Sequence, residues 1–205
     1  RYTAMNKADL PGIISTPKKP NIMQFLFTLK DEIDCSVMYD AMQKTIKRYP
    51  YFAFRIVRTE NGYDKIENQL PITVKDSFSE KIVLGSDAVN YHWVAAACEG
   101  KRMNLVIHHM IADGRSAMWF YKTLLYCYVS DKYGIQPDPK GITLPDSPIS
   151  PDEDVKIFNL LDGEDGTMRT TVEDPFVIPE TVDDEMKGYF YQVTIPEKEF
   201  LASSK

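Results

Sequence analysis

Apolar positions along this chain fall into short runs of two different periods, and the period assigns each run. Asn21–Leu29 alternates, with Phe25, Phe27 and Leu29 on one side, which predicts a strand. Met38, Ala41, Met42, Thr45, Ile46 and Tyr49 then recur at helical spacing, with Asp34 placed to cap the start and Pro50 to stop it. Tyr51–Arg58 is rich in β-formers, and Asn61-Gly62 is a type I′ hairpin signal leading into Tyr63–Glu67. A short strand is expected near Ile72–Val74. Asn90–Cys98 and Lys101–His108 flank a turn at Glu99-Gly100. Both runs are almost continuously apolar or aromatic, which predicts a hairpin inside a sheet covered on both faces. After Asp113-Gly114, the stripe Ala117, Phe120, Tyr121, Leu124, Leu125 and Tyr128 gives the clearest helix, ended by Gly134.

The remaining segments are less regular. Residues 1–20 carry Pro11, Pro17 and Pro20 and read as an irregular lead-in. Residues 135–185, rich in Pro and Asp, form an acidic irregular excursion with one helical turn expected around Val155–Leu161. Lys187–Ile195 returns as a strand, and Phe200–Lys205 resembles a helix just starting. Arg1 is not an initiator methionine, so the chain is expected to be a fragment. Strands alternate with helices and hairpins interrupt them, which predicts a mixed α/β layer structure.

Composition narrows the class. The chain has 205 residues, 43 % hydrophobic and 26 % charged, as an ordinary globular lobe would. The net charge of −6 is unevenly spread: residues 151–187 hold twelve Asp/Glu against three Lys/Arg. That stretch reads as a solvated loop. No clustered Lys/Arg footprint for nucleic acid is present, and no apolar run is long enough to span a bilayer. Cys35, Cys98 and Cys127 are odd in number, lie in apolar surroundings and form no CxxC pair, which predicts reduced thiols and a cytoplasmic protein.

One stretch carries candidate chemistry: Ile107-His108-His109-Met110-Ile111-Ala112-Asp113-Gly114. Two of the three histidines stand side by side where a buried strand ends and a helix begins. Adjacent strand residues point to opposite faces, so both cannot face one pocket. One of them does chemistry, or neither does. A neutral imidazole can take a proton from a hydroxyl or amine near neutral pH. A histidine at a strand end can equally be a hydrogen-bonded structural residue. Asp113 can cap the helix or hold the loop by pairing with an arginine, and Gly114 leaves out a side chain where a substrate would pass. A metal site from His108, His109 and Asp113 lacks a further clear ligand. The whole HHxxxDG pattern is more specific than its parts: chance gives it roughly once in a few thousand chains of this length.

At these residues the chain resembles the chloramphenicol-acetyltransferase-like superfamily, which includes peptide-synthetase condensation domains and alcohol acetyltransferases. HHxxxDG, its hallmark, is matched from His108 to Gly114. The following Arg115–Leu125 looks most like the alcohol acetyltransferase branch, and Lys47-Arg48-Tyr49-Pro50 followed by Phe54-Arg55 is similar to the family's helix-to-strand passage. The resemblance covers most of residues 20–130. It implies a two-layer mixed-sheet lobe with His109 as general base, His108 turned away to support the loop, and Asp113 paired with an arginine, either Arg48 or Arg55. It implies an acyl-CoA co-substrate rather than a resident cofactor, an alcohol acceptor, and no metal.

Members of that superfamily have about twice this length, in two similar lobes, and the DFGWG-type motif of the second lobe is absent here. The resemblance therefore implies the N-terminal lobe of a two-lobe acyltransferase, inactive by itself. Two other readings stay open. One is a condensation-type domain that forms amides between carrier-bound substrates. The other is a non-catalytic lobe that binds a partner or pairs with a second copy.

Overall fold

The computed structural model describes residues 2–4, 21–60 and 62–154. They belong to the first of two units, Arg1–Asp162 and Gly163–Lys205. The expected turn at Val155–Leu161, strand at Lys187–Ile195 and helix start at Phe200–Lys205 lie outside the described residues.

The architecture is mixed α/β. Its strands are β1 (Tyr2–Ala4), β2 (Ile22–Thr28), β3 (Phe54–Thr59), β4 (Gly62–Glu67), β5 (Val74–Lys75), β6 (Val94–Glu99) and β7 (Arg102–His108). The helices are α1 (Cys35–Arg48) and α2 (Gly114–Tyr133), with 3-10 turns at Pro50–Phe52, Asp87–Val89 and Pro151–Asp154. The larger sheet runs β2-β7-β6-β5, antiparallel except for the parallel β5–β6 pair. The smaller runs β1-β4-β3.

Strand alternation explains the layering. Val94, Ala96, Cys98, Met103, Leu105 and Ile107 face one side, where they join Met38, Ala41 and Met42 of α1 and Ala117, Phe120 and Leu124 of α2 in one core. The intervening Ala95, Ala97, Val106 and His108 are buried as well. The hairpin is thus covered on both faces, as its continuous apolar runs predict. Phe25 and Phe27 on β2 pack against the same core, with Phe27 stacked 3.6 Å from the Tyr121 ring, while Leu26 between them is exposed.

Both helices begin on an aspartate. Asp34 accepts from the backbone N–H groups of Ser36 (2.9 Å) and Val37 (3.2 Å), and its own N–H donates to the Tyr128 hydroxyl (3.0 Å) on α2. One residue thereby starts α1 and ties it to α2. Gly134, left-handed at φ 64°, ends α2 with its N–H on Ser130 O.

Three expectations need correction. Residues 2–4 form a strand, Tyr2 opposite Ile66 on β4, where an irregular lead-in was expected; three residues are too few to show a period. The strand expected at Asn90–Cys98 starts at Val94, because Asn90 and Tyr91 take left-handed conformations (φ 52° and 62°) that no ladder tolerates. The strand expected near Ile72–Val74 forms at Val74–Lys75, since Ile72 is instead held at both backbone groups by the Gln43 side chain. Residues 135–154 contain no helix or strand beyond the turn at Pro151–Asp154.

Asp34→Ala is expected to lower the urea midpoint through the lost cap. Urea unfolding monitored by far-UV circular dichroism measures it.

Candidate active site

The histidine pair sits on a turn built almost wholly from backbone bonds. His108, the last residue of β7, lies opposite Ile22 on β2, and its N–H donates to Trp93 O (2.9 Å). The His109 N–H donates to Asn21 O (2.9 Å), and that of Ile111 returns to His108 O (3.0 Å). These three bonds fix the path of the chain, and the pleat sends the two rings to opposite sides.

His108 is buried, 1 % exposed. Its Nδ1 accepts the Met110 N–H (3.1 Å), so hydrogen bonding assigns the ring proton to Nε2. Nε2 has no hydrogen-bond partner, and the ring meets Trp93 edge to face with centroids 5.0 Å apart. Burial, then the charge of neighbouring His109, lowers its pKa, so it stays neutral. Such a ring is a strut. His109 is exposed, and its ring makes no hydrogen bond among the described residues. It stands on a rigid turn with its face open.

Asp113 caps α2, accepting the Ser116 N–H at 2.7 Å. That backbone bond, then the Ser116 hydroxyl, holds its carboxyl below the usual range, and the charge of His109 adds to the effect. A Cβ on Gly114 would meet no atom within 4 Å, so the space beside this first residue of α2 is open.

The arginine expected to pair with Asp113 is engaged elsewhere. Arg48, 5 % exposed, makes a two-pronged bond to Glu153, both contacts at 2.8 Å, and the Tyr51 hydroxyl donates to the same carboxylate (3.0 Å). Arg55 lies on β3 of the smaller sheet, opposite Ile66, and forms no ion pair among the described residues. Neither reaches Asp113, because the C-terminal end of α1 turns Arg48 toward the Pro151–Asp154 turn. Glu153 is the one carboxylate of the acidic stretch seen in an ion pair among the described residues; residues 155–187 of that stretch lie outside them. The Arg48 bonds hold the Glu153 carboxyl down at about 2, while burial and the adjacent carboxylate push the Tyr51 hydroxyl up.

Beside the turn lies a cavity of about 570 Å³. Met110 and Ile111, directly after His109, form one wall, and Arg115, Ser116 and Trp119 of α2 another. The Tyr49–Phe54 segment, Lys65 and the Arg48–Glu153 pair complete it. His109 and Asp113 are not among its lining residues. Tyr51, Lys65, Trp119 and Glu153 escaped sequence reading: aromatic and charged residues on unrelated segments converge here, and no local spacing announces it. Among the described residues, no group of three His, Cys, Asp or Glu could hold a metal, and no helix is long and apolar enough to cross a membrane.

No protein-family model matches this chain. No curated protein matches it either. Solved structures do. The starter condensation domain of rhizomide synthetase RzmA is 11 % identical, with a TM-score of 0.52 over 67 % of this chain and 40 % of that one. A variant of that domain in complex with C8-CoA gives 13 % and 0.51, covering 66 % and 37 %. The X-domain from teicoplanin biosynthesis gives 10 % and 0.50, covering 66 % and 35 %. The chain therefore spans well under half the length of these structures. Likeness at such identities concerns the fold, and the fold is that of the condensation domains, the chloramphenicol-acetyltransferase-like α/β lobe.

Two pH responses follow. His92 is fully buried with Nε2 2.7 Å from Leu70 O, and like His108 its pKa is lowered by burial. Both rings take up protons more readily once unfolded, so stability should fall as pH drops below about 6.5, by up to about 1.4 kcal/mol per unit for each histidine. Denaturant titrations from pH 7.5 to 5.5 should show that slope, and His92→Gln should make it shallower. The contribution of Glu153 is complete above its unfolded pKa and is lost as pH falls through about 2. Glu153→Ala leaves Arg48 buried without a counter-charge, and should cost about 2–3 kcal/mol at pH 7, at the lower edge of buried-pair losses because Glu153 is partly exposed.

Proposed function

We propose that this chain is the N-terminal lobe of a two-lobe acyltransferase in which His109 is the general base. The observation that carries the reading is the placement of His109: an open imidazole on a turn fixed by three backbone bonds, with its neighbour buried and neutral. A base fixed by backbone loses little orientational freedom when a substrate arrives.

In the proposed reaction the imidazole takes the proton of an acceptor hydroxyl as its oxygen attacks a thioester carbonyl. A tetrahedral oxyanion forms, the carbon–sulfur bond breaks, and the imidazolium returns the proton to the leaving thiolate. No acyl-enzyme is needed. Asp113, turned to the α2 N-terminus, caps the helix and holds the loop that follows His109. The donor is an acyl-CoA, most simply acetyl-CoA, used as co-substrate, and the acceptor is an alcohol. Support for a CoA donor comes from the RzmA domain captured with C8-CoA. The second lobe would close the reaction space and exclude water.

A second reading has an observation in its favour: the structural neighbours are condensation domains, so the acceptor could be an amine and both substrates carrier-bound. His109 would have the same role.

Thiol release from acyl-CoA by a protein carrying both lobes, across a panel of alcohols and amines, separates the two. His109→Ala should reduce turnover by about 100- to 10,000-fold. Turnover near wild type would remove His109 from the mechanism, and transfer only from carrier-bound thioesters to amines would select the second reading.

A further inference from the structure

The cavity behind the histidine turn has properties that the acyl-transfer reading does not use. Its volume of about 570 Å³ falls within the range of about 300–1,000 Å³ common for small-molecule sites. Five of its thirteen lining residues are aromatic. Tyr49, Phe52 and Phe54 form a buried floor, Tyr51 stands half-buried beside them, and Trp119 at the rim is 55 % exposed. The open indole offers a flat ligand a face on which to stack.

The charges on the wall are unequal. Glu153 is engaged by Arg48 through both carboxylate oxygens. Lys65 stands over the Phe54 ring at 4.1 Å. Arg115, exposed in the first turn of α2, has no carboxylate partner among the described residues, and Asp113 nearby is turned to the Ser116 N–H. Arg115 and Trp119 are one helical turn apart on α2, so a guanidinium and an indole border the same opening.

We propose that this cavity is a binding site for an aromatic carboxylate. The flat body would lie against Trp119 and Tyr51, and the carboxylate would bond to the Arg115 guanidinium, whose planar fork matches it. Glu153 is already closed in its pair with Arg48, which leaves the exposed Arg115 guanidinium to meet a single anionic group. Because Met110 and Ile111 form part of the wall, the ligand would rest against the same turn that presents His109 on its other side.

The probes are 2-naphthoate and its uncharged counterpart 2-naphthamide, titrated into this chain by calorimetry. The naphthoate should bind at least tenfold more tightly. Arg115→Gln, an exposed change, should abolish that difference while leaving the amide's affinity as it was. Nuclear magnetic resonance locates the site, since the chain has two tryptophans and the Trp119 indole N–H should shift on binding while that of Trp93 does not. Equal affinities for the two probes, absence of binding by both, a tenfold preference that survives Arg115→Gln, or a shift confined to Trp93 would each overturn the proposal. The readout is binding alone, so its outcome is separate from the fate of His109 as base.

Discussion

The β6–β7 ladder is the constraint on which the described unit depends. From Val94↔Ile107 to Glu99↔Arg102 it pairs two strands whose side chains are buried on both faces. A one-residue slip would exchange the residues facing the helices for those facing away. It would also reverse His108 and His109, putting the strut in the open and the open ring inside. The register of the hairpin therefore decides which imidazole is presented. Short alanines at 95–97 keep β6 thin where the sheet is covered twice.

Much of this was legible because the pattern is local. The α1 and α2 stripes, their aspartate caps, Gly134 and the doubly apolar hairpin each follow from spacing within a dozen residues. The loop HHxxxDG was equally readable, with its opposed rings following from the pleat. What could not be read depends on distance along the chain. Glu153 meets Arg48 across 105 residues, and the spacing of neither residue hints at the other. The family resemblance offers Arg48 or Arg55 to Asp113, whereas the end of α1 points the Arg48 guanidinium to Glu153. The short β1 and the left-handed pair Asn90-Tyr91 fail to register for a related reason: two or three residues carry too little periodicity to outvote their neighbours.

Electrostatics in this lobe follow a division of labour. Groups that are buried are neutral or closed in pairs: His92 and His108 without charge, Arg48 with Glu153, Cys98 and Cys127 with thiol pKa values raised by burial. Beside the open ring of His109, the start of α2 carries two exposed charged side chains, Asp113 and Arg115. An interior without unpaired charge lets the polar groups beside a surface opening act on what enters it without competition from below.

The bond from the His109 amide to Asn21 O has a structural corollary. Asn21 is the residue from which the chain enters β2, and among the described residues β2 is the outer strand of its sheet, paired with β7. The imidazole is accordingly tethered to a margin as well as to the interior. A pull on Asn21 would reach the turn through that one amide bond, so whatever grips that margin acquires a handle on His109.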